Sequence, residues 1–329
     1  MLHIHNGESV AGTARKADLP GEHLAWREAL VCGPAPSGLS DDAFRKVRAA
    51  HLSDAYGADI DRYQRELREQ EEALTRFTDH EEAVLWFEHD LFCQVNLIYL
   101  LDWFAQRELG RTNLTLVSVD DFPGIDDFRG LGQLNEEQLV SLFPQRHEIT
   151  SAQLSLGSKA WPAYSSSDPS TIESLLNGDT SALPFLKPAL FKHLARFPSV
   201  RTGLGRVETL CLELLSGGYA EFKTLFSEFG KREPLYGFGD AQVMLELRRL
   251  AAGPHPLITI SNGGSISMDS RRLLRATFQI TDEGRAVLNG DEDFIELNGI
   301  DIWLGGAHLQ GKNAAWRWDD NSGRLVSSR

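Results

Sequence analysis

Apolar and polar positions alternate from the start of the chain. In Leu2-His3-Ile4-His5-Asn6 the period of two predicts a short strand with His3 and His5 on one face. Gly7 follows, and residues 9–17 predict a small amphipathic helix with Ser9 as its N-cap. Pro20-Gly21 marks a turn before a second strand over 22–30. Residues 40–76 are charged with a helical period, start on the signal Ser40-Asp41-Asp42 and contain one interior glycine, Gly57. The continuous apolar run 83–87 predicts a strand buried on both faces. A long apolar helix is predicted over 91–109, ending at Gly110, and a further strand over 113–119. Strands alternating with helices imply parallel βαβ units. The expected fold is α/β, with an open, mostly parallel, Rossmann-like N-terminal sheet.

From 135 to 198 helix follows helix, punctuated by Pro144, Pro162, Pro169, Pro184, Pro188 and Pro198, which predicts a helical layer on the sheet. After a linker near 199–205 come helices over 206–215, about 219–229 and 241–252, then strands over 257–261 and 276–280. Thr281-Asp282-Glu283-Gly284-Arg285 caps a last short helix. That order is the layout of many winged-helix domains, so a winged-helix-like α+β domain is expected. The tail, 298–326, holds Gly305-Gly306 and Trp316-Arg317-Trp318-Asp319 and predicts a terminal β-hairpin. The expected domains are 1–134 with a helical insertion at about 40–80, a helical layer over 135–199, and 200–329. With 329 residues the chain exceeds what one core usually supports, which agrees with such a division.

Charge is unevenly placed. The net charge is −14, and the first 199 residues hold eighteen Lys/Arg against thirty Asp/Glu, while the rest hold fifteen against seventeen. An acidic first half repels nucleic-acid phosphates, and the near-neutral second half leaves DNA contact open without supporting it. Cys32, Cys93 and Cys211 are far apart and odd in number, which fits a reducing compartment. No run approaches the roughly 20 apolar residues of a membrane span, and residues 1–7 have neither a basic region nor an apolar signal core. A cytoplasmic location is expected.

Ligands of open parallel sheets bind beyond the carboxyl ends of the strands. All four predicted strands lead into polar groups there: His5-Asn6-Gly7-Glu8-Ser9, Arg27-Glu28, Glu88-His89-Asp90 and Asp120-Asp121. Glu88-His89-Asp90 stands out, because a carboxylate beside an imidazole orients it for acid–base work; Asp90 also reads as the N-cap of the next helix. His89 and Cys93 are four apart, as a Cys–His nucleophile would need, although a free cysteine more often packs as a small apolar residue. His3 and His5 with Glu88 or Asp90 are candidate transition-metal ligands, yet zinc spacings are absent. Carboxylates Glu8, Glu28, Glu88, Asp90, Asp120 and Asp121 are candidates for holding Mg²⁺. The turn Asn6–Ser9 lacks phosphate-loop spacing, and Arg27 is the candidate anion partner. Arg248, Arg249, Arg271, Arg272 and Arg275 are the basic clusters that a DNA-binding second half would use. Trp303, Trp316 and Trp318 read as core or inter-domain packing residues, although a Trp-Arg-Trp edge can also close over a ligand.

Three stretches carry a resemblance: His3 to Ser9; Leu24-Ala25-Trp26-Arg27-Glu28-Ala29-Leu30 with Gly33-Pro34; and Glu88-His89-Asp90-Leu91-Phe92-Cys93-Gln94. They resemble the bacterial family called domain of unknown function 1835. Segments around Gly239-Asp240, Thr281–Arg285 and Ile302-Trp303-Leu304-Gly305-Gly306 resemble its usual C-terminal companion region. The resemblance implies boundaries and candidate positions, but no reaction and no cofactor. The reading from the residues is a small-molecule enzyme or binding domain taking an anionic ligand, such as a nucleotide or phosphorylated metabolite. In it His89, Glu88 and Asp90 are catalytic, and His5, Asn6, Gly7, Glu8, Ser9, Arg27, Glu28 and Asp120 bind the ligand. The alternatives are a winged-helix regulator with an N-terminal sensor domain and an interaction scaffold without chemistry.

Overall fold

The structure is a computed structural model that describes residues 1–261 and 276–327. Arg271, Arg272 and Arg275 lie outside the described residues.

The first half begins β1 (Leu2–Asn6), α1 (Glu8–Lys16), β2 (Glu22–Trp26), β3 (Gly33–Pro34), α2 (Asp41–Tyr56), α3 (Ile60–Thr75). It continues β4 (Glu82–Trp86), α4 (Leu91–Ala105), β5 (Asn113–Val117), α5 (Glu136–Leu142), β6 (His147–Glu148), α6 (Ser151–Tyr164), α7 (Ser170–Leu176), α8 (Leu186–Leu194). The main sheet runs β2-β1-β4-β5-β6, parallel except for the antiparallel edge strand β6. The fold is therefore mixed α/β around a mostly parallel sheet; β1, β2, β4 and β5 fall on the expected strands, whereas the two-residue edge strand β6 lies in a stretch expected to be helical. The second strand stops at Trp26, so Arg27 and Glu28 lie in the loop beyond it.

β4 is covered on both faces. Ala83, Leu85 and Phe87 join the core formed with α4 and α6, while Val84 and Trp86 pack with Val10 of α1 and Leu139 of α5. Burial from both sides is why this strand carries no polar alternation. The apolar helix α4 packs against α6 and α8, and Asp90 caps it by accepting the Cys93 N–H. Two local expectations change. The helix expected to begin at Ser9 starts at Glu8 with Gly7 as N-cap, and the long charged helix breaks at Gly57 into α2 and α3.

The second half contains α9 (Arg206–Ser216), α10 (Phe222–Arg232), α11 (Asp240–Leu250), β7 (Ile258–Ser261), β8 (Thr277–Ile280), α12 (Asp282–Asn289) and α13 (Phe294–Asn298). It closes with β9 (Ile300–Gly305), β10 (Ala307–Gly311), β11 (Trp316–Asp319) and β12 (Arg324–Ser327). β7–β8, β9–β10 and β11–β12 are antiparallel pairs, so the tail expected to hold one hairpin holds two.

The two halves are stitched together. Gly33-Pro34 lies parallel to Leu304-Gly305 and adds β3 to the β9–β10 sheet. Tyr164 Oη donates to the Leu30 carbonyl (3.0 Å) and Arg196 Nη1 to the Val31 carbonyl (2.7 Å). One hydrophobic core runs from Leu2 to Leu325, across the positions 134 and 199 where domain limits were expected. Among the described residues no helix is long and apolar enough to cross a membrane.

Candidate functional site

Between β1 and β4 the sheet changes direction. From β1 the chain crosses by α1 to β2 on one side, and from β4 by α4 to β5 on the other. Such a switch point leaves a crevice at the carboxyl ends of the two strands, where parallel sheets bind ligands. A cavity of about 330 Å³ lies there. Asn6, Glu88, Asp90 and Cys93 line its floor, the 129–133 loop lines one wall, and α10 with the loop around Gly237 closes it from the second half.

The floor is a connected set of polar groups. Cys93 Sγ–H donates to Glu88 Oε2 (2.6 Å), and the Leu131 N–H donates to Glu88 Oε1 (2.6 Å). Asp90 Oδ1 accepts from the Cys93 N–H (2.8 Å). Asn6 Nδ2 donates to Cys93 Sγ (2.8 Å), and its Oδ1 accepts from Asn96 Nδ2 (2.8 Å), which also donates to the Glu28 carbonyl (2.8 Å). Glu88 and Asp90 are 5% and 4% exposed, and among the described residues neither has an ion-pair partner. Burial therefore dominates their titration. Asp90 is pushed up to about 7 by burial and then by the charge of Glu88. Burial also raises Glu88, against the hydrogen bonds from Cys93 and Leu131. The Cys93 thiol is held far above its ordinary range by burial and by the two carboxylates, so it stays protonated and donates.

Glycines meet both carboxylates. A β-carbon on Gly237, whose φ is +63°, would lie 2.2 Å from Asp90 Oδ1, and one on Gly130, at φ +143°, would lie 2.8 Å from Glu88 Oε1. Only backbone without a side chain approaches so closely.

Of the sequence candidates, Asn6, Ser9, Glu88 and Asp90 line this crevice. The others do not join it. His89 lies between Phe128 and Phe185, with centroid separations of 6.4 and 6.1 Å, and has no hydrogen bond to Cys93; the expected Cys–His pair does not form. His5 and His3 face the α1 side of the sheet, stacked with His23 and Trp86, so they do not meet Glu88 or Asp90 as metal ligands. In this stack Trp86 Nε1 donates to His3 Nδ1 (3.1 Å), His5 Nε2 bonds His23 Nδ1 (3.0 Å) and His23 Nε2 bonds the Leu19 carbonyl (2.8 Å). Burial lowers His3 to about 4 and His5 to about 2.

Arg27, the expected anion partner, is exposed and paired with Glu8, which also binds Arg15; Gly7 only caps α1. Glu28 is buried under Arg48 and Tyr63, and Asp120 and Asp121 are exposed beyond β5. Arg248 and Arg249 do not form an exposed basic face. Arg249 pairs with Glu208 and Glu246, and Arg248 donates to the Ala55 carbonyl in α2.

The sequence reading missed Cys93 as a polar member of the floor, and also Arg129, Gly130 and Gly237. Arg129 reaches the crevice and has no ion pair among the described residues. Their only trace in the sequence is glycine punctuation, Gly130-x-Gly132 and Gly237-x-Gly239, which cannot say what the loops will meet.

One ligand atom each from Glu88, Asp90 and Cys93 lies within 4.8 Å of the others. Among the described residues this is the one group of three or more potential metal ligands gathered so closely. No protein-family model matches the chain, and no curated protein matches it.

Proposed function

We propose that the chain binds, and acts on, a small anionic molecule in the crevice between β1 and β4. Arg129 and the free N–H groups at the start of α1 receive the negative charge. Asp90 and Glu88 face the ligand as groups able to hold or release a proton near neutral pH. One observation carries this reading: two carboxylates are buried without a counter-charge at the floor of a switch-point cavity. Buried charges are ordinarily paired or bound to a ligand, so this arrangement lowers stability unless something else uses it.

The test is a thermal-shift series with nucleotides, phosphorylated metabolites and divalent cations, run on the parent chain, Asp90→Asn and Arg129→Gln. A ligand at a hundredfold its Kd stabilises the parent by about 2.7 kcal/mol. Both variants are expected to fold and to lose that response. A set of probes that never shifts the parent, or shifts all three alike, removes the proposal.

A second reading has its own observation. The gathering of two carboxylates and a thiol also suits a divalent cation, with Cys93 deprotonated by the metal. Stabilisation by Zn²⁺ or Mn²⁺ alone, reversed by a chelator and absent in Cys93→Ser, separates it from the first. The second half fits a winged-helix-like module that closes the crevice with α10, rather than one that offers α11 to DNA.

A further inference from the structure

A larger cavity lies elsewhere. About 840 Å³ opens between α2, α11 and β9, on the side of the β3–β9 pairing, lined by Arg196, Arg248, Arg249, His51, Glu246 and Trp303 among others. Its position depends on both halves, and no residue of the crevice floor belongs to it.

Arg196 is its unusual member. The residue is 6% exposed, and its hydrogen bond goes to the Val31 carbonyl through Nη1. Its guanidinium carbon sits 5.3 Å from the centroid of Phe238. Among the described residues no carboxylate forms an ion pair with it. The buried arginine of α2 is the opposite case, since Arg48 binds Glu28 at 2.9 Å and three carbonyls besides. A guanidinium carries five N–H donors in a planar fork, and a buried one left with a single acceptor wants an oxyanion.

The surroundings fit that need. Among the described residues Arg248 also has no carboxylate partner, and it donates to the Ala55 carbonyl at 3.2 Å. His51 Nε2 is buried without a hydrogen-bond partner among the described residues, and the ring stays neutral because burial and Arg48 hold it at about 4. Acidic groups are present: Glu208 pairs with Arg249, Asp301 binds His308 and Asp54 is exposed, while Glu246 lies beside Arg249 and within reach of the charge of Arg196 but forms no ion pair with Arg196. Leu245, Ile260, Ile302, Leu304 and the Trp303 indole supply apolar lining to the same cavity. A cavity of this size, mostly apolar with a few convergent polar groups, is the usual form of a small-molecule site.

We propose that this cavity binds an amphipathic organic anion, its carboxylate or phosphate held by Arg196 and Arg248 and its apolar body laid against the lining that includes Trp303. The site shares no lining residue with the crevice between β1 and β4.

Calorimetric titration of the full chain with 2-naphthoate, 2-naphthyl phosphate and the neutral 2-naphthamide tests it. At least one of the two anions is expected to bind saturably with one site per chain, and whichever binds more tightly identifies the oxyanion. Arg196→Gln is expected to weaken that anion about ten- to a hundredfold, the range of a lost charged hydrogen bond, and to leave naphthamide unchanged. Because Arg196 is buried, Arg248→Gln and Trp303→Ala serve as milder variants, each expected to weaken the anion at least threefold; circular dichroism checks that every variant folds. Asp90→Asn should leave the affinity as it was. The proposal falls if neither anion binds saturably, if naphthamide binds as well as the anions, or if folded arginine variants keep full affinity. Loss of anion binding in Asp90→Asn instead assigns the anion to the crevice and equally overturns it.

Discussion

Two buried carboxylate sites lie close together at the rim of one sheet and have been treated differently by the fold. Glu28 is 3% exposed and sits under Arg48, itself wholly buried, with N–O separations of 2.9 and 3.2 Å; Tyr63 donates to its other oxygen. Glu88 and Asp90 are as buried, but among the described residues their hydrogen bonds come from a thiol and two backbone N–H groups, with the open cavity beyond. Burial is therefore no mark of a site. The absence of a counter-charge is. Arg48 also ties down the carbonyls of Ala29, Cys32 and Pro34, so the first pair fixes the loop that runs into β3. The second pair fixes little and leaves acidic oxygens facing space.

This contrast can be broken by removing counter-charges. Arg48→Met strands Glu28 and is expected to cost about 3–5 kcal/mol in urea unfolding; a loss below about 1 kcal/mol would mean that the ion pair does not hold the 29–34 loop.

The histidine stack extends the contrast to buried bases. Unfolded, His3 and His5 take up protons near pH 6.5, but folded they do so only near pH 4 and pH 2. Between those values the unfolded state binds more protons, so stability is complete above about pH 6.5 and falls as pH drops below it. Each histidine withdraws up to about 1.4 kcal/mol per pH unit. Melting temperatures measured from pH 7.5 down to 4.5 check this, and His5→Gln should flatten the slope by one proton. An unchanged slope would refute the neutral stack.

A smaller effect is expected at Gly237. Gly237→Ala combines a left-handed backbone with a collision against Asp90, and should cost about 1–3 kcal/mol and weaken any ligand of the crevice. Parent-like melting and binding would show that the loop has another place to go.

The smallest change is the most telling. Asp90→Asn keeps the cap on α4 but removes a carboxyl that burial makes costly to ionise. In the presence of a chelator at pH 8 it should leave stability unchanged or raise it by about 1–2 kcal/mol. Clear destabilisation would place Asp90 with Glu28 as a structural carboxylate.

Local patterning determined the elements of this protein. The strands β1, β4 and β5, the helix α4 capped by Asp90 and the alternation that makes a parallel sheet all follow from periodicity and capping, because these act within a few residues. It also singled out Asn6, Glu88 and Asp90, since strand order and strand ends fix where a rim lies. Tertiary structure decided the rest. His3 and His5 had the right period for ligands but pointed to the wrong face, and Arg27 and Glu28 lay past the end of β2 with partners of their own. Cys93, Arg129 and Gly237 come together from separate parts of the chain, and β3 finds β9 across some 270 residues. Such meetings depend on how two halves pack into one core, and no period of two or 3.6 residues carries that information.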